Sequence, residues 1–158
     1  MSSIALIIAG GTISMASDPQ TNALTPANSP DAITDIVPEL SSLARMEVFS
    51  LTDVDSSDIT SEHWREIART IHDKYDSFDG FVVTHGTDTM AYTASGLSFL
   101  LQQLSKPIIL TGAQLPLVRA PGSFARNNLI HATMFATMNV AEVCICFAAK
   151  LMLSLIHI

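Results

Sequence analysis

Residues 81–90 read FVVTHGTDTM. Phe81, Val82 and Val83 form a short run, partly β-branched, with no polar residue on either face. A strand with one wet face alternates apolar and polar residues. A strand apolar on both faces is one covered by helices on both sides, the habit of parallel sheets. The run then ends abruptly in His85-Gly86-Thr87-Asp88-Thr89, which packs hydroxyls, a carboxylate and a glycine into five positions. Residues 4–14, IALIIAGGTIS, repeat the design: an apolar strand that discharges into Gly10-Gly11-Thr12. The two strand ends are expected to face each other across an active site.

Working outward, five apolar runs read as strands: 3–9, 46–51, 80–84, 107–111 and 142–148. Helix-period segments alternate with them. Residues 61–75 align Trp64, Ile67, Ala68, Ile71 and Tyr75, and residues 89–104 align Tyr92, Gly96, Leu97, Leu100 and Leu104. Residues 124–138 align Leu129, Ala132, Phe135 and Ala136, and a shorter helix near 30–43 fits Ile33, Ile36, Val37 and Leu40. Residues 15–30, rich in Pro, Ser and Asn, read as a surface loop. Strand alternating with helix predicts an α/β, doubly wound, mainly parallel sheet with helices on both faces. Ligands of such sheets bind beyond the carboxyl ends of the strands. Those ends are Gly10-Gly11-Thr12, Asp53 to Asp58, Thr84 to Asp88 and Thr111 to Gln114.

Composition narrows the partners. A chain of 158 residues is one domain's worth, and 48% hydrophobic against 15% charged is globular. A net charge of −7 without a Lys/Arg cluster argues against nucleic acid and anionic membranes. No apolar stretch approaches the roughly 20 residues that span a bilayer. The N-terminus lacks the basic region of a signal peptide. Cys144 and Cys146 lie two apart in an apolar run, so they read as reduced, buried small hydrophobes of a cytoplasmic protein.

A hydroxyl becomes a nucleophile at neutral pH only when a base takes its proton and geometry holds it against a carbonyl. Glycines before Thr12 let the backbone approach a ligand closely. Backbone N–H groups at such turns can stabilise the oxyanion formed when an amide carbonyl is attacked. Plainer readings stand beside this one. Gly10-Gly11-Thr12 alone could be a phosphate-cradling turn, though neither glycine-rich nucleotide pattern is present. Thr87 and Asp88 could cap the following helix, and Ser56 and Ser57 could be turn residues. His85 reads as a residue that positions its turn, while His63 and His72 read as solvated and His131 as packed. Asp53, Asp55 and Asp58 suggest a metal cluster but lack the glycine alternation of hard-cation loops. Met134 and Met138 read as core filling.

GGTI (10–13) and HGTDTM (85–90), with DSSDIT (55–60) and LTGAQLP (110–116) in order, resemble the signature motifs of the bacterial L-asparaginase (asparaginase/glutaminase) family, cytoplasmic type I branch. The resemblance covers residues 4–152. It implies a flavodoxin-like N-terminal domain with one left-handed crossover, and no metal or organic cofactor. It implies Thr12 as the nucleophile on the side-chain amide of a small-molecule substrate, L-asparagine or L-glutamine. Thr87 and Asp88 would be the second catalytic pair, with Asp88 holding the α-amino group. Ser56 would bind the α-carboxylate beside Ser57, and backbone at Gly11, Gly86 and Ala113 would complete the pocket. Full-length members are homodimers or homotetramers. An archaeal-type amidotransferase subunit is the related alternative, and a non-catalytic small-ligand α/β module is the rival from another class.

Three departures stand out. Leu24, in TNALTPAN (21–28), falls where the family carries a tyrosine, and Phe124, in GSFARNNL (122–129), where an acidic residue is expected. The family's lysine follows a strand like VCICFAAKLM, in a segment resembling Arg-Gly-Asn-Arg-Thr-Thr-Lys. Here LSLIHI (153–158) follows instead, and Lys150 and Lys106 match no motif. That hexapeptide is what CTG TCT CTT ATA CAC ATC encodes, resembling a transposase library adapter. Residues 1–152 are therefore expected to be a truncated catalytic domain, with 153–158 an adapter-derived tail and the C-terminal domain missing.

Overall fold

The computed structural model describes residues 1–17, 24–26, 31–52, 54–115, 117 and 124–156. Its main sheet contains β1 (Ser3–Ala9), β4 (Arg45–Thr52), β5 (Gly80–Thr84), β6 (Ile108–Thr111), β7 (Val143–Phe147) and β8 (Lys150–Leu153), in the order β4-β1-β5-β6-β7-β8. Neighbours are parallel from β4 through β7, and β8 returns antiparallel along β7.

Side chains alternate between two apolar layers. Ile4, Leu6 and Ile8 of β1 join Val82, Ile109, Cys144 and Cys146 on one face, under α1 (Asp31–Ile36), α2 (Leu40–Leu43) and α5 (Phe124–Ala136). Ala5, Ile7 and Ala9 join Phe81, Val83, Ile108, Leu110 and Ile145 on the other, under α3 (Ser61–Lys74) and α4 (Met90–Leu100). Burial on both faces is why these strands carry no polar alternation. The doubly wound expectation holds. Both cysteines are free and buried, and burial pushes each thiol up to about 11.

The connections reveal a reversed crossover. β5 to β6 and β6 to β7 step in the same direction, yet α4 and α5 lie on opposite faces. The β1–β4, β4–β5 and β5–β6 connections share one hand, so the α5 connection has the other. By the usual preference for right-handed crossovers, α5 makes the left-handed one.

Several local expectations need correcting. The helix near 30–43 divides at Pro38, which has no N–H to donate and disfavours helical backbone at Val37; residue 30 lies outside the described residues. The supposed loop contains β2 (Met15–Ser17) paired antiparallel with β3 (Leu24–Pro26). On α4 the buried residues are Met90, Thr93, Ala94 and Leu97, whereas Tyr92 and Leu100 are exposed. Met134 and Met138 are exposed too, so they do not fill the core. His63 is engaged rather than solvated: its Nδ1 accepts the Thr60 N–H at 3.0 Å, at the start of α3. β4, an edge strand, has no fully buried residue. Leu153 closes β8, while Ser154 is buried and shares a hydrogen bond with the Ser98 hydroxyl. His157 lies outside the described residues. Among the described residues no helix is long and apolar enough to cross a membrane.

Candidate active site

Glycines let four strand ends meet. Gly10 and Gly11 have φ of 85° and 90°, a region that side-chain-bearing residues rarely enter. A Cβ on Gly10 would stand 2.5 Å from the Val54 carbonyl oxygen, and one on Gly11 would stand 2.5 Å from the Gly86 nitrogen. A Cβ on Gly86 would strike Ser56 Cβ and Oγ, both at 2.5 Å. One on Gly112 would overlap the His85 carbonyl. The carboxyl ends of β4, β1, β5 and β6 therefore touch backbone to backbone. Thr12 and Thr87 each directly follow a glycine of the Gly11–Gly86 contact. This junction of β1 with β5 is the point from which the chain winds both ways, where ligands of such sheets bind.

Around this contact most polar groups are committed. The Thr89 hydroxyl donates to the Ser56 carbonyl at 2.7 Å, tying the turn after β5 to the 3₁₀ turn Ser56–Asp58. Asp55 Oδ1 accepts from the Ser57 N–H at 2.8 Å and from its hydroxyl at 2.7 Å. Those two bonds hold the Asp55 carboxyl below its usual range. Thr111 donates to the Cys146 carbonyl at 2.9 Å. Asn128, fully buried on α5, donates to the Gly112 carbonyl at 2.8 Å and accepts from the Ala148 N–H at 3.0 Å.

Thr12, Ser56, Thr87 and Asp88 differ. Among the described residues, none of their side chains hydrogen-bonds to another. Thr12 and Thr87 are half-buried, Asp88 is exposed and Ser56 is buried against Gly86. The helix-capping reading of Thr87 and Asp88 finds no such bond, since the residue flanking α4 is Thr89 and it bonds Ser56 instead. Ala113 is buried beside Gly112.

The two spare lysines stand elsewhere. Lys106 Nζ lies 4.9 Å above the Tyr75 ring, at the opposite end of the sheet. Lys150 opens β8 at the same end as the site, but β6 and β7 separate it from β5. Asp53 and the side chain of Leu24 lie outside the described residues. Phe124 is three-quarters exposed at the start of α5.

Sequence reasoning missed a buried chain behind the turn. Trp64 Nε1–H donates to Thr93 Oγ1 at 2.9 Å, Thr93 Oγ1 lies 2.9 Å from His85 Nε2, and His85 Nδ1 lies 2.8 Å from the Gly86 carbonyl. The only available signal was that a half-buried indole N–H needs an acceptor.

The family described as Asparaginase, N-terminal matches residues 3–155. The chain belongs to the asparaginase family. Its relatives carry two names. A glutamyl-tRNA(Gln) amidotransferase subunit of Pyrococcus horikoshii is 42% identical over 141 residues, 89% of this chain and 32% of that protein. L-asparaginase 1 of Escherichia coli is 54% identical over 85 residues, 52% of this chain and 24% of that enzyme. The crystal structure of L-asparaginase I from Vibrio cholerae superposes with a TM-score of 0.85 at 36% identity, covering 97% of this chain and 46% of that one. This asparaginase-family chain thus spans less than half the length of these relatives.

Proposed function

We propose that this chain is the N-terminal catalytic domain of an L-asparaginase. The observation that carries this reading is the Gly11–Gly86 contact, which sets at adjoining strand ends two threonines whose side chains make no hydrogen bond among the described residues. Thr12 Oγ attacks the side-chain amide carbon of asparagine, forming a C–O bond. Its proton passes to the departing nitrogen, the C–N bond breaks and ammonia leaves. Water then cleaves the ester to give aspartate and restore the hydroxyl. Thr87, polarised, forms the second catalytic pair with Asp88, which holds the α-ammonium; Ser56 receives the α-carboxylate, with Ser57 beside it on the Asp55 cap. Backbone groups at Gly11, Gly86 and Ala113 complete the pocket. We place the active enzyme in the cytoplasm as a homodimer or homotetramer.

The greater coverage by the amidotransferase relative favours a second reading, in which the same site releases ammonia from glutamine for a partner. Thr12→Ala in the complete polypeptide tests the shared chemistry. Ammonia release should fall by about a thousandfold or more; unaffected release would remove Thr12 as the nucleophile. Comparing kcat/KM for asparagine and glutamine separates the two readings.

A further inference from the structure

The chain behind the turn has only one workable direction. Trp64 Nε1–H can only donate, so Thr93 Oγ1 accepts from it. If His85 carried its proton on Nε2, the bare Nδ1 lone pair would face the Gly86 carbonyl oxygen at 2.8 Å. Two acceptors confronting each other in a buried place is costly. The proton therefore sits on Nδ1 and is donated to Gly86, while Nε2 accepts the Thr93 hydroxyl. His85 is fully buried, and burial pushes its pKa down, keeping the ring neutral. The far end is anchored by packing: a Cβ on Gly96 would lie 2.7 Å from the Trp64 ring, so only glycine admits the indole against α4.

We propose that Trp64, Thr93 and His85 are positioning residues whose one-way hydrogen-bond chain holds the Gly86 carbonyl and thereby sets Thr87. The Gly86 oxygen and the Thr87 nitrogen belong to one planar peptide, so fixing the carbonyl fixes the direction of the Thr87 N–H and the origin of its side chain. The same glycine abuts Gly11 and Ser56. An error at this peptide is therefore shared by all the groups assigned to the substrate. Helix α3, which contributes nothing to the site directly, reaches it through one indole nitrogen.

The activity readout rests on the asparaginase reading; a second readout does not. In the complete polypeptide, Thr93→Val removes the hydroxyl at nearly constant shape. It should lower kcat for asparagine about tenfold, with KM changed less than about twofold. Thr93→Ser should restore kcat, and Trp64→Phe should reproduce part of the loss. Independently of turnover, ¹⁵N spectra should show a protonated Nδ1 and a bare Nε2 on His85, and Thr93→Val should shift the Thr87 amide resonance. A protonated Nε2, an unmoved Thr87 amide, unchanged kcat in Thr93→Val, or a loss that Thr93→Ser does not repair would each overturn the proposal. Should Thr93→Val not fold, Trp64→Phe carries the same measurements. A polypeptide with the predicted tautomer and amide shift but no ammonia release would sink the hydrolase and leave the chain of hydrogen bonds standing.

Discussion

His85 couples the site to pH through folding. Its ring is buried with two hydrogen bonds, and burial lowers its pKa below the ordinary 6.5, the Gly86 bond opposing only in part. The unfolded chain binds a proton there below about pH 6.5 while the folded chain does not. Stability is thus fully present above that value and declines as pH falls toward the lowered folded pKa. The urea midpoint should drop between pH 7 and pH 5, this residue contributing up to about 1.4 kcal/mol per pH unit. His85→Asn should flatten that slope; an identical slope in the variant would show that the ring does not remain neutral. At this scale the sequence displays its candidate residues directly. Glycines before threonines at apolar strand ends are visible as letters. The bonds from Trp64 to Thr93 to His85 are not, because they join residues 29 and eight positions apart on different elements.

Among the elements, α5 does the most to shape the site from behind. Its Asn128 ties the end of β6 to the turn between β7 and β8, where Ala148 and Ala149 adopt positive φ. Its Arg126 reaches the Ile36 carbonyl at 2.8 Å and the Glu39 carboxylate, lowering the Glu39 pKa chiefly through that hydrogen bond. The two contacts differ in solvent exposure. Asn128→Ala leaves the buried Gly112 carbonyl without its donor and the Ala148 N–H without its acceptor, and should cost about 2–4 kcal/mol. Arg126→Ala acts on a pair in which Glu39 is exposed and should cost clearly less. Urea unfolding of both variants checks the order, and equal costs would count against it. The periodicities located the main strands and helices because each reports one buried face. They misplaced part of the inner face of α4, which buries Thr93 and Ala94 beside Met90 and Leu97 and leaves Tyr92 and Leu100 exposed, a helix with weak hydrophobic contrast between its faces. They also missed β2, β3 and β8, three- and four-residue strands too short to show a period.

For the whole molecule, the outer surface of α4 presents Tyr92, Phe99 and Leu100 at helical spacing, and α5 begins with Phe124. Tyr92, Phe99 and Phe124 are each at least two-thirds exposed. Exposed aromatics at this density favour association. The 158-residue chain should sediment as concentration-dependent oligomers, and Phe99→Ser with Phe124→Ser should shift it toward monomer; a monomer at all concentrations would refute this. By itself the sequence determined the layered α/β class, the strand ends that form the candidate site and the family motifs, since all of these are written in local pattern. Only the tertiary structure decided the reversed α5 crossover, the glycine contacts that bring β1 against β5, and the buried chain from α3. Each of these depends on which element lies beside which, and that choice comes from long-range packing between segments whose own sequences would tolerate other neighbours.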